Sequence, residues 1–429
     1  MKTTSRNSLN RLLCFSLAFV MTTALGWSQS ITVEGPYDVP HAVSQHQLKI
    51  ISNPASVPRS PELVATMSGA RSACSDLKVT FTTAFPAGAD TAFNFAMEIW
   101  ENSIESTVPI NISVEFTNLA SSLVAFTEPN GYFTISGSGV PDTLYARALA
   151  EQITGSEIGG TDSVDILISF NDSMDFYYGT DANPPVDEID FVTLVLHEIG
   201  HGLGFIGFGI TDGTEGSIRD SGTGFPSIYD RFIENGSGAA ILSFADPSTD
   251  LHTQLTSDNL FSNGTNATAE NSGTKPKTYN PGTFDFFKSY DHWDSAVFPS
   301  VNINSLMTET VSPGEANHNP GPVTLGFFED MGWALCSTLS TGSNNDLDVA
   351  LIENPVRNRL QLQIGNNLQG LTLDTAIINM AGQSVMEAKQ VASGNQLTIS
   401  GLSRLEDGVY FVQLTSPSGD QSTIKFVKQ

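Results

Sequence analysis

Residues 189–205 read IDFVTLVLHEIGHGLGF, and the histidines in that run decide how the rest of the chain is read. Positions i and i+4 lie one above the other on an α-helix, so His197 and His201 offer two imidazoles to one metal ion. Glu198, one place further on, is near enough to take a proton from a metal-bound water yet turned away from ligation, the place of a general base. Local signals favour a helix. Pro184 and Pro185 stop what precedes, Asp187, Glu188 and Asp190 put negative charge at the amino end, and Gly202 and Gly204 provide a carboxyl-end stop. Phe191, Val192, Leu194, Val195, Leu196 and Ile199 leave hardly any polar face, so the helix is expected to be buried. An ordinary core helix with two chance histidines would strand polar groups in the interior, which argues for a metal.

The chain has 429 residues, room for two or three domains. Residues 1–26 have the form of a secretory signal: Lys2, Arg6 and Arg11 precede an apolar run too short to span a bilayer, followed by Ala24-Leu25-Gly26 as a cleavage site. No other stretch has transmembrane character, so an exported protein is expected. Residues 27–75, broken by Pro36, Pro40, Pro54, Pro58 and Pro61, form a leader or propeptide-like segment to which no fold is assigned. The formal charge of −27, from 46 acidic against 19 basic residues, repels nucleic acid and excludes it as a partner. Apart from Cys14 in the signal, the cysteines are Cys74 and Cys336. In an exported protein they read first as a disulfide, the alternative being a Cys74 thiolate that caps a metal and holds the protein latent.

From Leu77 the sequence is organised. LKVTFTT alternates as a half-buried strand, Ala89, Phe93, Met97 and Trp100 recur at helical spacing, and Ile110, Ile112, Val114 and Phe116 mark a second strand. Residues 118–160, rich in Gly, Ser and Thr, yield only a short helix near 144–153. VDILISF (164–170) reads as a further strand, taken as the sheet edge on which a peptide could align. Residues 321–335 read as a closing helix. The expectation is an α/β (α+β) domain over 76–337, a twisted sheet lying over a zinc-binding helix.

Catalytic zinc commonly takes three protein ligands and keeps a position for water. The metzincin pattern HExxHxxGxxH/D would put the third ligand at 207, which here is Gly207, although Gly204 fits the turn beneath the metal. Downstream, His292-Trp293-Asp294 and Ser305-Leu306-Met307-Thr308 resemble the leishmanolysin branch of the metzincins. That resemblance implies His292 as third zinc ligand and Met307 as the Met-turn residue below the metal. Asp212, Asp220, Asp230, His252 and His318 compete for the ligand role, and Glu234 would serve a thermolysin-like arrangement. TDGTEGSIRD (211–220) is considered for Ca2+ against the plainer reading of a solvated loop.

After a small-polar linker at 338–346, residues 347–429 change to short alternating strands, a small β-sandwich. Asn354-Pro355, Met380-Ala381-Gly382, residues 405–410 and the terminal Lys425-Phe426-Val427-Lys428 resemble the C-terminal sorting domain read by the type IX secretion machinery. Together these features imply a secreted zinc metalloendopeptidase acting on protein or peptide, with Glu198 as general base for a zinc-activated water. The competing reading is a catalytically silent surface adhesin whose metal is structural.

Overall fold

The computed structural model describes residues 31–39, 44–48, 56–57, 73–119, 123–160, 162–300, 302–336, 349–352, 355–365, 368, 370–379, 384–391, 396–416 and 421–429. The expected signal at 1–26, the linker at 338–346 and the Met380-Ala381-Gly382 motif lie outside these residues. Two compact units divide after Cys336.

The first unit is built on a six-stranded sheet. Its strands are β1 (Ser44–Leu48), β2 (Leu77–Phe81), β3 (Ile110–Thr117), β4 (Leu123–Pro129), β5 (Ile166–Asn171) and β6 (Thr310–Val311), in the spatial order β6-β1-β4-β5-β3-β2. Pairings β2–β3, β3–β5 and β1–β6 are parallel, while β4 runs antiparallel to both neighbours. Two expectations are corrected here. Strand 166–171 is interior rather than the edge, because residues 123–129, in the stretch left largely unassigned, form a strand beside it. The leader is also not without structure: Thr32–Tyr37 pairs with Tyr132–Ser136, Ser44–Leu48 enters the main sheet, and Ser56–Val57 pairs with Ala316–Asn317.

Helices α1 (Ala89–Glu101), α2 (Arg147–Thr154) and α3 (Phe191–Gly202) belong to the same core; α4 (Thr249–Leu255) and α5 (Thr265–Glu270) are short, and α6 (Pro322–Met331) closes the unit. The expected closing helix thus ends earlier, at the left-handed Gly332, and residues 334–335 return as a short strand beside Ile104–Glu105. Every residue of α3 is buried. Asp190 caps it, accepting from the backbone N–H (2.8 Å) and hydroxyl (2.7 Å) of Thr193. Trp100 Nε1 donates to the Leu196 carbonyl at 3.0 Å, tying α1 to α3. Gly202 has a packing reason, since a Cβ there would stand 2.3 Å from Ile166 of β5. The apolar side chains from Phe191 to Ile199 are fully covered. At about 1.5–3 kcal/mol each they supply on the order of 10 kcal/mol to hold polar neighbours in the interior.

Cys74 and Cys336 are joined by a disulfide. Backbone bonds from Cys74 to Glu101 and from Cys336 to Ser103 place both ends of the unit beside the end of α1. Closing so long a loop stabilises the folded state by about 2–5 kcal/mol in the chain-entropy view.

Glu151 of α2 and Asp165, just before β5, form a buried acidic pair. Glu151 accepts from the Ile158 N–H (2.8 Å) and Asp165 from the Asn111 N–H (2.7 Å), with the Arg147 guanidinium 4.0 Å from Glu151. Burial raises both carboxyls, and Asp165 raises Glu151 further. Acids raised on folding contribute stability that is complete below their unfolded values and is lost as pH rises through the folded ones. Wild type should therefore lose more denaturant resistance between pH 5 and pH 8 than Glu151→Gln does. Comparing the two urea midpoints separates this pair from other titrations, and parallel curves would refute the assignment.

The second unit holds a three-stranded sheet (Val349–Leu351, Arg359–Ile364, Gln396–Ser400) and a four-stranded one (Thr372–Asn379, Ser384–Val391, Gly408–Thr415, Gln421–Lys428), all pairs antiparallel. Alternation explains it: Leu360, Leu362 and Ile364 point inward with Leu397, Ile399, Val412, Leu414 and Phe426, while their sequence neighbours face outward.

Candidate metal centre

Helix α3 brings His197 and His201 to one face, and the chain after Tyr290 delivers His292 to the same point. The three ligand atoms lie within 4.8 Å of one another, and all three residues are buried. His201 Nε2 is 2.9 Å from His197 Nε2 and 3.2 Å from His292 Nε2. Nitrogens about 2.0–2.1 Å from a tetrahedral zinc stand about 3.4 Å apart, so little adjustment admits the ion.

Protonation supports the same conclusion. The Nδ1 atoms of His197, His201 and His292 face the carbonyl oxygens of Leu306 (2.7 Å), Phe205 (2.7 Å) and Lys288 (2.9 Å). A carbonyl only accepts, so each Nδ1 carries a hydrogen, which leaves Nε2 as the atom that each ring turns inward for a ligand. Three converging Nε2 atoms repel unless a cation lies between them. The Asp291 carboxylate, 3.1 Å from His292 Nδ1, adds the acidic partner that commonly orients a ligating histidine. The residues fit zinc.

The expected supporting residues are here too. Gly204 has φ +111°, the left-handed turn that returns the Phe205 carbonyl to His201. Met307 is fully buried against α3, and a Cβ on Gly200 would lie 2.6 Å from its sulfur, so the glycine between the two histidines makes room for it. Gly207 cannot carry any side chain, because a Cβ would stand 2.3 Å from the Tyr290 ring and 2.8 Å from that of Tyr229.

Glu198 is fully buried. Its Oε2 accepts from the Thr127 hydroxyl at 2.6 Å, and its Oε1 has no hydrogen-bond partner among the described residues. Burial pushes its carboxyl up to about 8, opposed by the Thr127 bond. A cation held by the adjacent histidines would favour the ionised form. Thr127, on β4, had no signal in the sequence; neither did the carbonyls of Leu306 and Lys288, which are backbone atoms and carry no residue signature.

The rival ligands are engaged elsewhere. Asp230 accepts from Ser227 and Tyr290 hydroxyls, each at 2.8 Å. Glu234 pairs with Lys275 and accepts from Asn263 at 3.0 Å. His252 Nδ1 meets the Thr211 hydroxyl at 2.6 Å, and His318 Nε2 meets Asp190 at 2.8 Å. Asp212 and Asp220 accept from N–H groups of their own loop, at 2.8 and 2.7 Å, so the 211–220 segment gains no support as a calcium site.

Residues 353–429 match the family described as secretion system C-terminal sorting domain, and residues 76–212 match a family described as SPBPB7E8-like. No curated protein matches the chain. Solved structures with similarity include a DUF3244 family protein with an immunoglobulin-like β-sandwich fold from Bacteroides vulgatus, 19% identical over 19% of this chain and 85% of that one, TM-score 0.16. PorZ, a surface component of the type IX secretion system of Porphyromonas gingivalis, is 19% identical over 21% of this chain and 12% of its own, TM-score 0.16. Dimeric latent PorU of Porphyromonas gingivalis is 26% identical over 19% and 9%, TM-score 0.15. The chain thus spans most of the first of these and about a tenth of the other two.

A type IX C-terminal sorting domain is therefore present, and the protein is exported to the cell surface or the extracellular space. Among the described residues no helix is long and apolar enough to cross a membrane. A chain ended at Ser340, which keeps the disulfide, should accumulate in the periplasm of the native host with the same metal content as the full chain. Fractionation and immunoblotting check this, and normal export of the truncated chain would contradict it.

Proposed function

We propose that the unit ending at Cys336 is a zinc metalloendopeptidase resembling the leishmanolysin branch of the metzincins. The observation that carries the reading is the convergence of three Nε2 atoms beside a buried glutamate that is not one of the ligands. His197, His201 and His292 would hold zinc, which when bound lowers the pKa of a water and polarises a peptide carbonyl. Glu198 takes the proton of the attacking water and returns it to the leaving amine. Thr127 keeps the carboxylate aimed, and Leu306, Phe205, Lys288 and Asp291 keep the imidazole rings turned inward. The strand that meets the base is β4 rather than β5, through Thr127; both of its sides are paired, with β1 and β5, so it offers no free edge to a substrate.

A silent adhesin with a structural metal would call for a closed site with four protein ligands. Among the described residues the cluster has three members, with no fourth His, Cys, Asp or Glu. Zinc stoichiometry combined with casein hydrolysis, with and without chelator, tests the proposal. One zinc per chain and chelator-sensitive hydrolysis are expected; a zinc-loaded, export-competent protein that leaves casein and unfolded peptides intact would refute it.

A further inference from the structure

His292 reaches the site after a long excursion of the chain, and the residue that sets its arrival stands two places before it. Tyr290 has φ +87°, a left-handed backbone that bulky side chains rarely adopt. The other non-glycine residues with positive φ among those described are aspartates, an alanine and a serine, so Tyr290 is the costly exception. Three hydrogen bonds hold it there. Its N–H donates to the Tyr279 carbonyl at 2.6 Å, its carbonyl accepts from the Tyr229 hydroxyl at 2.6 Å, and its own hydroxyl donates to Asp230 Oδ1 at 2.8 Å. The ring lies on Gly207 and Gly209, where a Cβ would come within 2.3 and 2.5 Å of it. It fills the space that a side chain at 207 would need, and the segment that carries it supplies His292 in its place.

Asp230 joins the two stretches that bear the ligands. It is fully buried and accepts from the N–H of Phe208 at 3.1 Å, three residues after the Phe205 carbonyl that turns His201. It also accepts from the N–H and hydroxyl of Ser227, each at 2.8 Å. We propose that Asp230 and Tyr290 are positioning residues of the metal centre: the carboxylate clamps Tyr290 in its strained conformation and so holds His292 against His197 and His201 before the ion arrives. This rests on the metal site of the reading above and not on peptide hydrolysis. Without the hydroxyl, residue 290 relaxes toward the extended region, which swings the residues that follow and moves His292 Nε2 away from the common point. Groups that orient a ligand are worth about ten- to a hundredfold in metal affinity, and an effect of that size is expected here.

The test loads the full chain with Co2+, whose visible absorption reports its coordination geometry, and follows that band together with the rate of metal release into excess chelator. Tyr290→Phe keeps the ring on its two glycines and removes only the hydroxyl. It should weaken the tetrahedral band and release metal about ten- to a hundredfold faster. Asp230→Asn should move both readouts in the same direction, because each carboxylate oxygen accepts a backbone N–H, from Phe208 or Ser227, and the amide must turn its NH2 toward one of these donors. Ile110→Val, in the core of β3, is the control for general loosening: it should lower the urea midpoint and leave band and release rate at their wild-type values. A Tyr290→Phe protein with the wild-type band and release rate overturns the assignment, and so does an Ile110→Val protein that shifts both as far as Tyr290→Phe does. A wild type that takes up no Co2+ overturns the metal site and the clamp together. A Co2+-loaded wild type that hydrolyses nothing removes the peptidase reading alone, since neither readout depends on turnover.

Discussion

Glu198→Gln should keep its zinc and its fold and lose hydrolysis by about 10²–10⁴-fold, the usual worth of a positioned general base. The substitution is nearly isosteric, and the carbonyl of a glutamine can still accept from the Thr127 hydroxyl that now meets Oε2 at 2.6 Å. Packing against β4 is therefore retained. No ligand is touched, since the cluster consists of His197, His201 and His292. Replacing the fully buried carboxyl by an amide of nearly the same volume leaves no cavity, so thermal stability should change little. Only proton transfer is lost. Metal analysis of the purified variant together with kcat on casein checks the claim, and wild-type turnover in a zinc-loaded Glu198→Gln protein would sink the general-base role.

How much of this was legible in the sequence depends on where the determining interactions lie. The helix from Phe191 to Gly202 was legible because its signals are local: a capping aspartate, an unbroken apolar run and a left-handed glycine just beyond its end. His292 was legible only through a motif, as nothing local indicates that a histidine 91 positions after His201 returns to within 3.2 Å of it. Strand β5 was found but misplaced as an edge. Ile166, Ile168 and Phe170 are buried while Leu167 and Ser169 are half-covered; such alternation reports which face is covered and is silent on lateral neighbours, which are set by the pairings with β3 and β4. Strand β4 was missed because LVAFTEP places Thr127 on the inward face, where its hydroxyl serves Glu198, so function interrupts the alternation. The leader strands escaped for another reason. SQHQL has no apolar periodicity, and its pairing is written in the vacant edges of β4 and β6 rather than in itself. Thr32–Tyr37 contains Pro36, which marks a break in most contexts but is tolerated where the register shifts between Glu34 and Tyr37.

His292→Ala should cost more zinc affinity than any change to a residue that merely orients a ligand, hence more than about a hundredfold. Two imidazoles on one helical turn leave a site with half its tetrahedron missing. The structure offers no replacement nearby. Gly207 is closed off by the rings of Tyr290 and Tyr229, Asp230 and Glu234 are committed to their own partners, and Asp291 reaches the Nδ1 side of His292. The control needs care. His318 bonds the Asp190 carboxylate that caps α3, so its removal would disturb the helix carrying the other two ligands, at about 1–3 kcal/mol for an unsatisfied buried partner. His252, bonded to Thr211, lies outside the cluster and is the clean comparison. His292→Ala is expected to release zinc at chelator concentrations that leave wild type and His252→Ala loaded. His292→Cys, which restores a ligand atom, should recover part of the retention. Circular dichroism must show the variant folded, since β3, β5 and the disulfide do not depend on residue 292. A folded His292→Ala protein that keeps its zinc and its hydrolysis would remove the leishmanolysin-like assignment and leave the third ligand to a carboxylate.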